Sequence, residues 1–254
     1  NQEYQWDAIK SITDIFEGQP LNSGDFEFTT SNAGALLSEN GFGNNLTLSA
    51  EQVLENVKAI QKRNEITNSV EELQGMNFSV EMETGTGKTY VYLRTVYELN
   101  KLYGFKKFVI VVPSVAIREG VLKNLQITHE HFQSLYDKTS INFDIYDSKK
   151  VSNLRGFSSG NAIQVLVINI DSFAKDENII NKPNDKLTGK KPIEFIQSTK
   201  PIVIVDEPQN METGIRKKAI QNLEPLCTLR YSATHTNLYN LMYSLNPVKA
   251  YDLG

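Results

Sequence analysis

The amino-acid sequence predicts an α/β fold in which a mostly parallel central sheet is flanked by helices. From residue 77 onward, short apolar runs alternate with stretches of helical periodicity. Strands separated by helices in this way form parallel sheets through right-handed crossover connections. Several runs are apolar at nearly every position, as strands buried on both faces must be. The runs are NFSVEM, KKFVIVVP, INFDIYD, IQVLVINI, PIVIVDE and CTLRYSA.

Length and charge limit the classes of function. The chain has 254 residues, of which 40% are hydrophobic, so it can bury a sizeable core. We predict that residues 1–75, an N-terminal helix and an insertion, pack on a lobe formed by residues 76–254. The net charge of −4 argues against a protein that holds nucleic acid by bulk positive charge. It leaves room for one that grips a few phosphates through backbone amides and hydroxyls.

The sequence favours a cytoplasmic protein that does not enter a membrane. It contains no run of about 18 apolar residues and no basic, apolar N-terminal stretch of the secretory kind. Cys227 is the single cysteine, which fits a reducing compartment, and its setting predicts an inert thiol in a buried strand. We expect His129, His131 and His235 to lie at the surface or at helix ends rather than to bind a metal.

The N-terminal region is predicted to contain two helices. In the first, apolar residues recur at helical spacing. They are Trp6, Ile9, Ile12 and Phe16. Residues 18–48 are rich in Gly, Asn, Ser and Thr and predict a loop or a small hairpin that includes Phe26–Phe28. Ser49, followed by Gln52, is a capping-box pattern that predicts the start of the second helix.

A glycine-rich loop follows the first apolar run and precedes a helical stretch. A phosphate chain needs backbone N–H groups that converge on it, which small residues such as Gly85 and Gly87 allow. The next helix adds free N–H groups and the positive end of its dipole. Lys88 supplies a cation for the outer phosphates, and the Thr89 hydroxyl is placed to ligate Mg²⁺. The predicted ATP-binding residues of the loop are Thr84, Gly85, Thr86, Gly87, Lys88 and Thr89.

Two adjacent acids end the buried run PIVIVDE. Carboxylates at the end of an apolar strand are costly unless they have a function there. Asp206 is predicted to be a direct or water-mediated partner of Mg²⁺, and Glu207 to orient or deprotonate the attacking water. The alternative is a pair of solvated acids at a strand end, which the glycine-rich loop upstream makes less attractive.

Taken together, these segments resemble the superfamily 2 helicases, and in particular the restriction (Res) subunit of type III restriction enzymes. The resemblance rests on the segments EMETGTGKT, VPSVAIREGV, DEPQN and YSATH. Met82 stands where the P-loop consensus has its first glycine, a replacement that superfamily 2 proteins often make. Pro208 and Gln209 distinguish the second motif from those of Asp-Glu-Ala-Asp and Asp-Glu-Ala-His helicases. The resemblance implies a RecA-like P-loop NTPase lobe that binds ATP and Mg²⁺.

Further residues gain a predicted role from the same resemblance. Gln5 matches the Q motif, and its amide can both donate to and accept from an adenine edge. Ser232 and Thr234 match motif III, whose hydroxyls would relay hydrolysis to the nucleic-acid face. Motifs Ia and Ib suggest that Ser114, Arg118 and Ser172 contact a DNA backbone. Helix caps and ordinary surface positions remain open alternatives for these last three residues.

The resemblance also implies partners. They are double-stranded DNA, a methyltransferase (modification) subunit, and a second RecA-like lobe and nuclease domain of the full-length protein. ATP hydrolysis would drive translocation or communication along DNA before cleavage. Residues 174–200 are predicted to form a polar surface excursion, and one short helix is expected after Thr234. The chain would then be a fragment with little activity of its own. The alternatives are a lobe of another superfamily 2 translocase, such as a type I restriction subunit or a repair helicase, and a nucleotide-binding switch without turnover.

Overall fold

A computed structural model describes residues 3–21, 42–67 and 69–245. Its centre is one sheet in which the described strands are ordered β3-β4-β2-β5-β6-β1-β7. Every neighbouring pair is parallel, which confirms the predicted α/β class. The strands are β1 (Asn77–Met82), β2 (Lys107–Val112), β3 (Ile141–Ile145), β4 (Ile163–Asn169), β5 (Ile202–Asp206), β6 (Cys227–Ser232) and β7 (Leu241–Leu245).

Helices cover both faces of the sheet. The first face packs against α1 (Glu3–Thr13), α2 (Ala50–Arg63), α3 (Lys88–Tyr103) and α4 (Val115–Leu135). The second face packs against α5 (Asn153–Ser159), α6 (Pro192–Gln197) and α7 (Gly214–Asn222). Within the described ranges, no helix is long and apolar enough to cross a membrane.

The alternation of strand side chains builds these two cores. In β2, Phe108 and Ile110 face the first core, whereas Val109 and Val111 face the second, and all four are fully buried. Successive residues of a strand point to opposite faces, so a strand covered on both sides must be apolar throughout. The apolar runs therefore marked the central strands correctly. Cys227, in β6, is fully buried as predicted.

The N-terminal helices share the first core. The capping box of α2 is present, because the Ser49 hydroxyl accepts from the Gln52 N–H and the Gln52 side chain accepts from the Ser49 N–H. The helix predicted from the apolar spacing is present, with Ile9 and Ile12 buried and Trp6 38% exposed. The Trp6 ring stacks against the guanidinium group of Arg94. The predicted hairpin around residues 26–28 lies outside the described residues, and the division at residue 75 stays a prediction.

Two expectations about later segments of the chain were wrong. Residues 174–200 are not merely a surface excursion, since Ile180, Leu187 and Phe195 lie in the second core and α6 lies in this segment. The short helix expected after Thr234 is the edge strand β7, which pairs in parallel with β1. Short apolar runs fit either structure, and the open edge of β1 decides in favour of a strand.

Candidate active site

The predicted catalytic residues meet at the carboxyl-terminal edge of the sheet. Strands β5, β6 and β1 are adjacent, and their ends lead into Asp206-Glu207, Ser232 and the glycine-rich loop. Ligands of open α/β sheets bind beyond this edge. The structure thus brings these three segments together, although more than a hundred residues separate the glycine-rich loop from Ser232 along the chain.

The loop between β1 and α3 has the predicted strand–loop–helix form, with Lys88 as the first residue of the helix. Gly85 and Gly87 have φ values of 83° and 86°, a region that residues with a side chain avoid. A Cβ atom on Gly87 would also lie 2.6 Å from the amide nitrogen of Gln5. The conformation at this position therefore favours glycine, and a side chain there would also displace the Gln5 amide.

Lys88 links the loop to the acids. Its Nζ lies 3.2 Å from Glu207 Oε1 and donates to the Met82 carbonyl over 3.3 Å. The side chain is only 10% exposed. The lysine is thus held at the centre of the site by one carboxylate and one long hydrogen bond, both of which a phosphate group could replace.

Asp206 is a buried carboxylate with a hydroxyl partner. It is 5% exposed, and Oδ2 accepts a hydrogen bond of 3.1 Å from Tyr92. Burial, to which the adjacent charge of Glu207 adds, raises the pKa of Asp206 to about 6. Tyr92 is fully buried, which raises the pKa of its hydroxyl, and the nearby Thr89 side chain opposes part of that rise. The two predicted Mg²⁺ ligands, Thr89 and Asp206, therefore converge on one tyrosine.

Glu207 is placed by an unusual backbone conformation. Its φ of 54° and ψ of 59° are left-handed, which costs energy for a residue with a side chain. Its Oε2 accepts 2.6 Å from the Gln209 amide and lies 3.2 Å from Ser232 Oγ. Burial alone would raise the pKa of Glu207, but the Gln209 hydrogen bond and the Lys88 charge outweigh it and lower the pKa. The carboxylate is consequently ionised at neutral pH, as a base must be.

Ser232 has more acceptors than it can serve at once. Its Oγ lies 2.7 Å from Gln209 Oε1 and 2.7 Å from the Thr234 carbonyl, besides Glu207. A hydroxyl carries one proton, so it donates to one of these groups at a time. Of Thr234, the backbone joins this network through its N–H and carbonyl, and the side chain is exposed.

Gln5 contacts the glycine-rich loop directly. Its Nε2 donates to the Thr86 carbonyl over 3.0 Å, and the Tyr4 hydroxyl donates to the same oxygen over 3.2 Å. The residue that was predicted to read adenine is therefore also fixed to the phosphate-binding loop.

The predicted DNA contacts are less uniform. Ser114 caps α4 by accepting from the Ile117 N–H, as the helix-cap alternative describes. Arg118 pairs with its neighbour Glu119 over 3.0 Å. Arg118 and Ser172 line one groove of about 760 Å³ at the carboxyl-terminal edge. Four acids share that groove, which weakens its attraction for phosphates. They are Asp144, Asp147, Asp171 and Glu177.

Several contributors were missed by sequence reasoning. Tyr92 could have been found from its spacing, because it lies three residues after Thr89 and hence on the same face of a helix. Gln209 was noted as a family feature but given no role. His235 was expected at the surface or at a helix end, yet it is partly buried and its ring contacts the Val80 carbonyl.

Comparisons with known proteins identify the family. The chain matches the family described as type III restriction enzyme, res subunit, over residues 2–237. The chain belongs to this family. Similar proteins are the Res subunits of EcoP15I from Escherichia coli (32% identity, 82% of this chain) and of EcoPI from Escherichia phage P1 (30%, 82%). That of StyLTI from Salmonella typhimurium is 34% identical over 64% of this chain.

The Res subunits that this chain matches are much longer than the chain. The chain spans 24% of the EcoP15I and EcoPI subunits and 18% of the StyLTI subunit. Among solved structures, the UvsW helicase of bacteriophage T4 has a TM-score of 0.43 at 14% identity, with 84% of this chain and 66% of that chain covered. A nuclease-deletion mutant of the Type ISP restriction-modification enzyme LlaGI, solved with a DNA substrate mimic, has a TM-score of 0.46 at 15% identity, with 78% and 20% covered.

Proposed function

We propose that this chain is the ATP-binding motor lobe of a type III Res subunit. The observation that carries the proposal is the 3.2 Å approach of Lys88 to Glu207 at the carboxyl-terminal edge of the sheet. A lysine at the start of a helix, beside a glycine loop and two strand-end acids, is an arrangement suited to phosphoryl transfer. The family membership supports the same function.

ATP would bind with its phosphates against residues 84–89. The loop amides and the N-terminus of α3 would hold the phosphate oxygens, and Lys88 would move from Glu207 to the outer phosphates. Thr89 and Asp206 fit a Mg²⁺ ion, because Mg²⁺ is normally held by one or two carboxylates together with phosphates and water. The ion would supply charge neutralisation of the phosphates. Among the described residues, no three His, Cys, Asp or Glu side chains form a separate metal site.

Glu207 would orient the attacking water and accept its proton. Its ionised carboxylate loses the Lys88 contact when that lysine turns to the phosphates, so Oε1 becomes free for water. Oε2 stays bonded to Gln209 and near Ser232, which keeps the carboxylate in place. Ser232 and Gln209 are therefore suited to sense whether Glu207 is occupied, and the Thr234 backbone is bonded to the same Ser232 hydroxyl.

In the complete protein, hydrolysis would drive translocation or communication along double-stranded DNA. Cleavage would follow in a nuclease domain outside this chain, and a methyltransferase (modification) subunit would be the partner. Ser114, Arg118 and Ser172 remain the proposed contacts to the DNA backbone. A lobe of another superfamily 2 translocase is the alternative, which the family match over residues 2–237 disfavours.

The isolated chain should bind ATP weakly, hydrolyse it negligibly and cut no DNA. An arginine finger contributes about 10³–10⁵ to the rate of phosphoryl transfer. After Glu207 the sequence has Arg216 and Arg230. Arg216 is paired with Asp171 over 2.8 Å, and Arg230 is buried beside Glu212. The finger is therefore expected from the second RecA-like lobe.

ATP binding and hydrolysis by the complete protein test the proposal. Lys88→Ala should abolish tight ATP binding, whereas Lys62→Ala, at an exposed position of α2, should leave it unchanged. Binding that survives Lys88→Ala at the parental affinity would show that the nucleotide does not use this loop.

A further inference from the structure

We infer that Arg94 is a positioning residue that fixes the helix carrying Gln5 against the phosphate-binding loop and thereby contributes to the choice of nucleotide base. The inference rests on the proposed function, since it refines how ATP would be selected. Arg94 belongs to none of the motifs that the sequence displays. It lies in α3, about one and two-thirds turns after Lys88.

The position of Gln5 depends on a close fit. Its amide donates to the Thr86 carbonyl over 3.0 Å, and its Nε2 would lie 2.6 Å from a Cβ on Gly87. A displacement of α1 by an ångström would either break the hydrogen bond or press the amide into the loop. A base-reading role for Gln5 therefore requires that the start of α1 be held firmly.

Arg94 supplies a contact at that place. Its guanidinium carbon lies 4.7 Å from the centroid of the Trp6 ring, and Trp6 is the residue next to Gln5. The buried residues of α1 begin at Ala8, so core packing anchors the later part of the helix. The first turn itself is held by Tyr4, which packs against the core and bonds to Thr86, and by the guanidinium stack on the outer side of Trp6.

The guanidinium is itself held in a fixed plane. Arg94 Nε donates to the Tyr136 hydroxyl over 3.1 Å, and Nη1 donates to the Tyr90 hydroxyl over 3.3 Å. The Tyr136 hydroxyl donates to Glu98 over 2.6 Å, and its ring stacks on Tyr97 with a centroid distance of 4.9 Å. The two hydrogen bonds to the Tyr136 and Tyr90 hydroxyls therefore orient the guanidinium plane that stacks on Trp6.

Lysine could not replace this arrangement. An ammonium group has no planar face to stack on indole and cannot form the two forked bonds in one plane. The contacts of Arg94 therefore specify arginine, which separates a positioning role from a simple need for positive charge. They also connect α1 to the end of α4, the helix that carries Arg118.

The test compares ATP and GTP dissociation constants of the complete protein with those of Arg94→Met. Loss of a cation–π contact at an exposed site should weaken ATP binding roughly two- to five-fold. GTP binding should change less, so selectivity falls. Gln5→Ala should reduce selectivity further, and adding Arg94→Met to it should cost nothing more, because both changes act through one contact. Arg94→Lys should behave like Arg94→Met, and Arg155→Met, at an exposed position on α5, should behave like the parent.

A spectroscopic readout separates positioning from general loss of structure. The emission of Trp6, obtained by subtracting the spectrum of Trp6→Phe, should change when ATP binds to the parent and should not change in Arg94→Met. Equal weakening of ATP and GTP binding, or additive losses in the double variant, would overturn the inference while leaving the proposed function intact. If the parent itself bound no ATP, the proposed function would fail and the inference with it.

Discussion

Two lysines at opposite ends of the sheet have contrasting surroundings. Lys107, at the start of β2, is 1% exposed and donates to the carbonyls of Phe157, Ser158 and Gly160 over 2.6, 3.0 and 2.7 Å. Lys88, beyond the end of β1, has one carboxylate at 3.2 Å and one carbonyl at 3.3 Å. Burial lowers the pKa of Lys107 to about 8, whereas its three carbonyl acceptors favour the charged form.

The two lysines differ in how their hydrogen-bonding capacity is used. An ammonium group has three protons to donate, and Lys107 uses all of them on backbone atoms that cannot move away. Lys88 leaves capacity unused and relies on a side chain that can turn elsewhere. Saturated bonds to the backbone stabilise the fold, while unsaturated bonds between side chains leave room for a ligand.

The largest effect should come from Glu207→Gln, which tests the functional end of the sheet. Loss of a general base should reduce ATP hydrolysis by about 10²–10⁴. ATP binding should be unchanged or tighter, because the neutral amide no longer competes with the phosphates for Lys88. Steady-state hydrolysis and equilibrium binding by the complete protein measure the two quantities. Glu224→Gln, at an exposed pair with Lys200, is the matched control. A variant that turns over at the parental rate would remove Glu207 from the mechanism.

The same substitution at Lys107 and at Lys88 tests directly whether the two lysines contribute differently to stability. Lys107→Met leaves three carbonyls without a donor and should lower the free energy of unfolding by about 3 kcal/mol. Lys88→Met should change that free energy by less than about 1 kcal/mol, since its contacts are few and partly replaceable by water. Chemical denaturation measures both variants. The contrast is lost if Lys88→Met proves as destabilising as Lys107→Met.

The sequence was most informative where one local cause decides the structure. Strands β2 and β5 are apolar except for Lys107 and Asp206 at their ends because both faces are covered, and the loop before Lys88 needs glycine for its positive φ values. The fold and the edge on which the site lies follow from these signals. Strand β7 could not be predicted in this way, because it forms by pairing with β1, which is distant in the sequence, and no local pattern encodes that pairing.

The site was predictable as a set of motifs but not as a network. Lys88, Asp206 and Glu207 were assigned from their order along the chain, and their roles stay predictions. Gln209 and Arg94 make contacts between different helices and loops that no spacing along the chain predicts, whereas the spacing of Tyr92 from Thr89 was a usable signal. The apolar spacing predicted α1 correctly, but it does not by itself distinguish a core residue such as Ile9 from one at the margin such as Trp6.

A smaller effect is expected from Tyr92→Phe, which removes the hydroxyl bonded to Asp206. Residues that orient a metal ligand typically contribute about 10–100-fold to metal affinity. The Mg²⁺ concentration that gives half-maximal ATPase should therefore rise, while the rate at saturating Mg²⁺ should fall less. Tyr92 is fully buried, so a thermal melt must accompany the titration. Tyr103→Phe, which loses a buried hydroxyl bonded to the Thr13 carbonyl, is the control for stability alone. An unchanged Mg²⁺ requirement would show that Asp206 needs no help from Tyr92.

Ser49 and Ser232 repeat the comparison on the scale of a single hydroxyl. Ser49 accepts from one backbone N–H at the start of α2, whereas Ser232 lies among Gln209, Glu207 and the Thr234 carbonyl. Loss of an N-cap costs about 1 kcal/mol, and the exposed setting of Ser49 places it at the lower end of the range. Ser49→Ala should therefore lower the melting temperature by only about 1–2 °C, the shift expected when a domain of this size loses about 0.5 kcal/mol. It should leave both ATP affinity and turnover unchanged.

Ser232→Ala removes a hydroxyl that has alternative acceptors, so its effect should fall on the stimulation of ATP hydrolysis by DNA. The two variants are best measured side by side for melting and for DNA-stimulated hydrolysis. The opposite result would be that Ser49→Ala alters the stimulation by DNA while Ser232→Ala alters only the melting temperature. In that case the bonding partners of a hydroxyl would not indicate whether it serves the fold or the function of this protein.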